Sequence, residues 1–187
     1  MDGNDNIVIL HDNQIRSFKD AKNIYDVELI SPARAITATD DQIIVLLRDK
    51  LQLIVLSTSL EVIKQIQIAD GIQNTCNFVA AYNDSYYISC DSYILQISKD
   101  GVKKKRIGKK NGSYSLGITF DDKSRLIVVV RGRPKLRVFQ NGVEFQELFY
   151  GEATSIWSEV LYERGRLHVI DYLSNTLNTF QYPVDLL

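Results

Sequence analysis

The sequence predicts an all-β protein, a β-propeller of four-stranded antiparallel blades, with about four to five blades. A short apolar run, a polar turn and a second apolar run recur about every forty residues, which is a period typical of propeller blades. The apolar runs are short and rich in β-branched and aromatic residues, as in Ile43-Ile44-Val45-Leu46-Leu47. Asp100-Gly101 and Asn141-Gly142 are typical of two-residue hairpin turns. Together these observations favour successive hairpins over helices.

The repeats divide the chain into blades, whose strands we label a to d from the inside outwards. A partial first blade (6–30) supplies strands b, c and d, the next three blades cover 33–68, 76–107 and 115–149, and a partial fifth covers 155–187. Alignment of the inner strands places four apolar residues at matching positions: Ile36, Val79, Ile118 and Val160. Since no linker rich in Pro, Gly or Ser separates the blades, we expect a single domain over residues 1–187.

The first blade has no counterpart of the inner strand a, and the chain is shorter than six complete blades require. We therefore expect a truncated propeller with an open ring, and a compact five-bladed ring is the alternative. An open ring leaves apolar blade faces and strand edges uncovered, which favours a homodimer.

Composition excludes several classes of function. Of 187 residues 45% are hydrophobic, and the net charge of −1 excludes a protein that binds polyanions over its whole surface. No apolar stretch reaches the roughly twenty residues that span a bilayer, and the acidic N-terminus is unlike a secretory leader, so no membrane partner is expected. Cys76 and Cys90 are too few for a disulfide framework. We expect buried free thiols in a reducing compartment, and hence a cytoplasmic protein.

The fourth blade carries the most specific pattern. Ser115-Leu116-Gly117-Ile118 precedes the acidic turn Asp121-Asp122, a strand follows at Leu126-Ile127-Val128, and Arg137-Val138-Phe139 leads into the Asn141-Gly142 turn. This pattern resembles an NHL repeat, most closely those of animal tripartite-motif (TRIM-type) proteins, and its rhythm extends over about residues 32–182. The resemblance implies a non-catalytic binding or scaffold module with a protein partner. Some animal propellers of this type bind single-stranded RNA, which the resemblance also allows.

Two basic segments predict the binding surface. The link between the third and fourth blades and the b-to-c turn of the fourth blade lie on the same side of a propeller, so their cations should converge. Tyr114 stands nearby and could stack on a base. We predict a basic binding face for an acidic protein or RNA, with solubility as the alternative role of its lysines. Its residues are Lys109, Lys110, Arg131, Arg133, Lys135 and Tyr114. The acidic a-to-b turns, among them Asp40 and Asp121, are expected on the opposite side.

No catalytic residue, metal ligand or cofactor site is predicted, because the sequence has no nucleophile elbow, Walker loop or dinucleotide fingerprint. The alternative function is a metal-dependent hydrolase or lyase of the gluconolactonase-like propeller type, which holds its ion in a central channel. Four residues could be recruited for such an ion, although they have no recognised spacing: His11, Glu159, His168 and Asp171.

Overall fold

The computed structural model of the protein describes residues 6–48, 52–68, 76–109, 112–149 and 155–182. These residues form β-strands and turns without any helix, and the strands make five antiparallel sheets of three or four strands each. The predicted all-β class with blade-like antiparallel sheets is confirmed. No helix in the described ranges is long and apolar enough to span a membrane.

Each sheet is a run of consecutive hairpins, so that strand order follows the chain. Sheet 1 contains β1 (Ile7–His11), β2 (Gln14–Lys19) and β3 (Lys22–Glu28). Sheet 2 contains β4 (Ala33–Ala38), β5 (Gln42–Leu47), β6 (Gln52–Ser57) and β7 (Val62–Gln67). Sheet 3 contains β8 (Phe78–Tyr82), β9 (Ser85–Ser89), β10 (Ile94–Ser98) and β11 (Lys103–Ile107). Sheet 4 contains β12 (Ile118–Phe120), β13 (Leu126–Val129), β14 (Lys135–Gln140) and β15 (Val143–Phe149). Sheet 5 contains β16 (Trp157–Glu163), β17 (Arg166–Asp171) and β18 (Thr176–Gln181).

The sheets lie within the blade boundaries that the sequence predicts. The first and last sheets have three strands, as expected for partial blades. The four aligned apolar residues all lie in the first strand of their sheets: Ile36 in β4, Val79 in β8, Ile118 in β12 and Val160 in β16. The turn residues Asn83, Asn141 and Gly142 have positive φ angles of 49°, 52° and 79°, which explains the Asn and Gly at these positions.

Internal packing divides the chain into two compact units. Unit 1 contains Met1–Ile88 and Gln96–Lys105, and unit 2 contains Ser89–Leu95 and Arg106–Leu187. A single domain over the whole chain stays a prediction.

The core of unit 1 joins one face of sheet 1 to sheet 2. Ile15 from β2 and Val8 and Leu10 from β1 pack with aliphatic residues of sheet 2, among them Val45 and Ile54. Strand β5 is buried at every position from Ile43 to Leu47 because it lies in the middle of sheet 2. A continuous apolar run is therefore the expected pattern for this strand.

The core of unit 2 joins sheet 4 to sheet 5. Ile127, Val129, Leu136 and Val138 of sheet 4 form one buried cluster with residues of sheet 5 that include Val160. Rings extend this cluster. Trp157 and Phe180 have their centroids 5.6 Å apart, and Tyr162 meets Tyr182 edge-on at 5.5 Å. Trp157, Tyr162 and Phe180 therefore contribute to the packing between sheets 4 and 5.

A buried ion pair closes the β12–β13 turn. The Arg125 Nε donates to Asp121 Oδ2 at 2.6 Å, and the two side chains are only 4% and 1% exposed. Asp121 also accepts the backbone N–H groups of Lys123 and Arg125 and the hydroxyl of Tyr182. The expectation that Asp121 belongs to an exposed acidic surface is therefore wrong, because its carboxylate is engaged by its own turn and by the core.

The expectation of free thiols is also wrong. Cys76 and Cys90 are both disulfide-bonded, and the described chain has no free cysteine. A cytoplasmic location stays a prediction, and it no longer draws support from the cysteines, since disulfides persist mainly in oxidising environments.

Candidate binding surface

The predicted surface residues occupy two segments of unit 2. Lys109 follows β11, Tyr114 precedes β12, Arg131 and Arg133 lie in the turn between β13 and β14, and Lys135 begins β14. Lys110 lies outside the described residues. The structure brings the described members together through backbone contacts, since the Arg131 N–H donates to the Ser113 carbonyl at 3.2 Å and the Tyr114 N–H donates to the Asp91 carbonyl at 2.9 Å.

Tyr114 is buried and connects two segments through its hydroxyl group. Its side chain is completely buried, its ring meets Phe139 edge-on at 5.7 Å, and its hydroxyl accepts the Lys109 backbone N–H at 3.1 Å. The Arg137 guanidinium donates to the same hydroxyl at 3.1 Å. A stacking role on a base is not compatible with this position. The residue instead ties the segment that carries Lys109 to strand β14.

Two glycines make room for the Tyr114 ring. A Cβ atom on Gly112 would lie 1.7 Å from Cε2 of Tyr114, and one on Gly108 would lie 2.4 Å from the same atom. Gly108 also has a φ of 100°, which only glycine adopts readily. Gly108 and Gly112 therefore lie against the ring because neither position has a side chain.

Lys135 lies in an ion-pair network and is not a free surface cation. Its Nζ donates to Glu147 Oε2 at 2.8 Å, and its side chain is mostly buried. The Arg137 Nε donates to the same oxygen at 3.2 Å and lies 3.7 Å from Glu144 Oε1. The hydrogen bond from Lys135 is the main cause that holds the pKa of Glu147 below its usual value, and Arg137 contributes further. The prediction that Lys135 belongs to an exposed basic face is therefore wrong, because its ammonium group is paired with Glu147.

Two other predicted cations are exposed, although each has a carboxylate within ion-pair distance. The Lys109 Nζ is 3.3 Å from Glu144 Oε2, and the Arg131 guanidinium is 3.8 Å from Asp91. Both cationic side chains are more than two thirds exposed, so these pairs are weak. Each of these cations remains accessible to a competing anion.

Arg133 is exposed, and within the described ranges its side chain has no ion pair. Its carbonyl accepts the Lys135 N–H at 2.8 Å, and the Lys135 carbonyl in turn accepts the Val130 N–H at 3.0 Å. The turn from Arg131 to Arg133 is therefore fixed at its base and presents both guanidinium groups outward. Gly132, at its tip, has a φ of 79°, and a Cβ atom added there would have no neighbouring atom within 4 Å.

Arg106 extends this surface along β11. Its guanidinium carbon lies 4.4 Å from the centroid of the Tyr93 ring, which is a cation–π contact, and its side chain is exposed. Tyr93 is two residues from Asp91, the partner of Arg131, so Arg106 belongs to the same part of unit 2. We define the basic surface as Arg106, Lys109, Arg131 and Arg133.

Sequence reasoning missed the acidic half of this site. Arg137 pairs with Glu147 across the β14–β15 hairpin, and Glu144 lies near the turn of that hairpin. The Asn141-Gly142 turn contained only part of the signal, because it pairs Gln140 with Val143, whereas the register shift between Val138 and Phe139 is what brings Arg137 opposite Glu147. Asp91 had no comparable signal, since it comes from the preceding sheet.

Two of the residues considered for a metal ion, His168 and Asp171, have other partners. The His168 Nδ1 is 3.0 Å from the Thr179 hydroxyl, and Asp171 accepts the N–H groups of Ile156 and Leu173. In the parts of the chain that the structure describes, no group of three or more His, Cys, Asp or Glu side chains is placed to hold a metal ion.

Comparison with solved structures identifies the fold. The chain is similar to a protein of unknown function from Bacteroides caccae, with a TM-score of 0.73 and 9% identity over 89% of this chain and 66% of that one. It is also similar to a catalytically inactive virginiamycin B lyase from Staphylococcus aureus with quinupristin, with a TM-score of 0.68 and 13% identity over 93% of this chain and 64% of that one. The WD40 β-propeller domain of Doa1 gives a TM-score of 0.69 and 12% identity over 92% of this chain and 60% of that one.

These similarities show the β-propeller fold and nothing finer, because identity is low and the three proteins differ in kind. The chain spans about two thirds or less of the length of each of them. No family model and no curated protein matches the sequence.

Proposed function

We propose that this β-propeller chain is a non-catalytic, protein-binding module of the NHL-like type, and that its basic surface recognises an acidic segment of a partner protein. The observation that carries the proposal is the anchored turn that presents Arg131 and Arg133. Its backbone is held by hydrogen bonds at both ends, while both guanidinium groups remain exposed. A fixed backbone lowers the entropy lost when a partner binds, and guanidinium groups bind carboxylates through paired hydrogen bonds.

The mixed charge of the site supports a protein partner over RNA. Lys135 and Arg137 are engaged by Glu144 and Glu147, so few cations remain for phosphates, and these two carboxylates would repel a polyanion. The ring predicted for base stacking, Tyr114, is buried. Affinity for nucleic acid depends mainly on the number of phosphates that free cations neutralise. Acidic peptides need fewer such contacts and tolerate alternating charge.

The surface is tested with two probes and one pair of matched variants. The probes are a fluorescent peptide in which glutamate residues alternate with serine and a fluorescent single-stranded RNA of equal length, and binding is followed by anisotropy at low salt. We expect the peptide to bind and Arg133→Glu to weaken binding by up to about fivefold, since an exposed ion pair contributes roughly 0.2–1 kcal/mol. Lys22→Glu makes the same charge change at an exposed position in sheet 1 and should leave binding unchanged.

Three results would contradict the proposal. The first is a peptide that does not bind even at low salt. The second is a peptide that Arg133→Glu and Lys22→Glu weaken equally, because net charge alone would then explain the binding. The third is an RNA that binds more tightly than the peptide and loses affinity steeply with salt, which would establish the nucleic-acid alternative.

A further inference from the structure

Within the described part of the chain, one face of sheet 5 is covered by another sheet and the other face is not. Val160 and Val169 belong to the face that packs against sheet 4 in the core of unit 2. Their neighbours along β16 and β17 point to the opposite side, as alternation in a strand requires. On that side Leu161 is 57% exposed, Ile170 40% and Leu177 67%. We call this the sheet-5 face. An uncovered aliphatic sheet face is unusual for an isolated soluble protein.

Equivalent positions in sheet 4 are buried under another sheet. In sheet 4 the register pairs Ile127 with Val138, and Val129 with Leu136. In sheet 5 the corresponding pairs are His168 with Thr179, and Ile170 with Leu177. All four residues of sheet 4 lie in the cluster that sheet 5 covers. The sheet-5 face therefore has the geometry of a face that a following sheet normally covers.

Sheet 1 shows the opposite arrangement. In unit 1, the side of sheet 1 that carries Ile15 packs against sheet 2, and the other side is open. On the open side the register pairs Ile7 with Phe18, and Ile9 with Arg16. Ile7 is 54% exposed and Ile9 49%. We call this the sheet-1 face, and it corresponds to the side with which sheet 5 covers sheet 4.

The sheet-1 face contains a groove that fits aliphatic side chains. The groove has a volume of about 450 Å³ and is lined by Ile9, His11, Gln14, Arg16 and Phe18. The Arg16 guanidinium is held by the Gln14 side-chain oxygen at 3.0 Å, which places a positive charge beside the apolar floor. The sheet-5 face has an exposed carboxylate on the same side of β16, at Glu163. Glu159 lies on that side too, but partial burial raises the pKa of its carboxyl. Hydrophobicity and charge are thus complementary between the two faces.

We propose that the sheet-5 face of one copy of this chain binds the sheet-1 face of a second copy, head to tail. Leu161 and Leu177 of the first copy occupy the groove of the second, and Arg16 pairs with a carboxylate of β16. The contact is heterologous, because two different faces meet. It uses neither Arg131 nor Arg133 and is therefore separate from the basic surface.

The test uses two single variants of exposed residues, Ile9→Asp on the sheet-1 face and Leu177→Asp on the sheet-5 face. Sedimentation velocity measures association over a range of concentrations, and circular dichroism checks that each variant keeps its β-sheet content. We expect the unmodified chain to self-associate and each variant to lose about tenfold or more in association constant. Leu177→Asp would bury a carboxylate without a partner, and Ile9→Asp would remove an apolar side chain from the groove and engage Arg16, its cross-strand neighbour. Val143→Asp changes an equally exposed residue at the start of β15 and should associate normally.

Mixing the two variants identifies the faces. The Ile9→Asp chain keeps an intact sheet-5 face and the Leu177→Asp chain keeps an intact sheet-1 face, so an equimolar mixture should form heterodimers although neither variant associates alone. If Ile9→Asp still associates by itself, sheet-5 faces pair with each other and the proposal is wrong. A chain that remains monomeric at the highest concentration also overturns it, since another segment or partner must then cover these faces.

Discussion

Replacing Asp121 by asparagine should lower the free energy of unfolding of unit 2 by about 3 to 5 kcal/mol, the usual cost of removing one partner of a buried ion pair. Arg125 is only 4% exposed, and its Nε donates to Asp121 Oδ2 at 2.6 Å. Asparagine has almost the same shape, and its amide oxygen can still accept the N–H groups of Lys123 and Arg125. The substitution therefore keeps the turn and removes the negative charge that faces Arg125.

Fluorescence of Trp157 measures this loss directly. It is the single tryptophan of the chain and is buried in the core of unit 2, so its emission reports unfolding of the unit that contains Asp121. For a chain of this size, about 2–4 °C in melting temperature corresponds to 1 kcal/mol, so the midpoint should fall by roughly 6–20 °C. Asp40→Asn is the matched control, because Asp40 occupies the corresponding turn of sheet 2 and is exposed; since it lies in unit 1, its unfolding is followed by circular dichroism. It should change stability by less than about 0.5 kcal/mol.

A second substitution tests whether the loss of stability comes from the unpaired charge of Arg125. Adding Arg125→Met to Asp121→Asn removes the unpaired buried cation, so the double variant should recover part of the lost stability. If Asp121→Asn costs less than about 1 kcal/mol, or if the double variant is less stable than the single one, then the ion pair does not hold this turn.

Three further predictions follow from the site and the cysteines. Gly112→Ala should destabilise the protein by about 1–3 kcal/mol in the same unfolding experiment, because the new methyl group would lie 1.7 Å from Tyr114 Cε2; an unchanged midpoint would mean that the ring is not held there. The pKa of Glu147 is lowered mainly by the Lys135 hydrogen bond, so its contribution to stability is complete above the ordinary value of 4.5 and is lost as pH falls through the lowered pKa. Glu147→Gln should therefore reduce the loss of stability below pH 4.5, as measured by urea midpoints across an acid series, and an identical acid dependence would contradict the network. Thiol titration of the unfolded protein should find no free thiol before reduction and two after it. Two free thiols without reductant would show that the cysteines are not disulfide-bonded.

The fold could be predicted because strand periodicity and turn chemistry repeat. Buried central strands such as β5 are continuous apolar runs in the sequence, and Asn141-Gly142 alone indicates its hairpin. These signals are local in sequence, so each repeat reinforces the assignment of the next. Three-stranded first and last sheets were predictable for the same reason.

The candidate site was only partly predictable, because a charged residue in a sequence does not identify its partner. Lys135 and Arg133 look alike in the sequence, yet one is buried against Glu147 and the other is exposed. The difference arises from position in the chain: Lys135 begins β14 and pairs with β15, whereas Arg133 lies in the turn before that strand. Burial of Tyr114 depends on the absent side chains of Gly108 and Gly112, a packing relation that no single motif encodes.

The two proposed surfaces bind through different forces, so their contributions can be distinguished without mutation by changing the salt concentration. The basic surface depends on exposed charges, and added salt screens such charges beyond roughly 8–10 Å at physiological ionic strength. Self-association through the sheet-5 face depends mainly on burial of Leu161, Ile170 and Leu177, which salt does not weaken. Raising the salt concentration should therefore release an acidic peptide while leaving the association of copies intact. If both were lost in parallel, a single charged interface would account for both, and the distinction between the surfaces would fail.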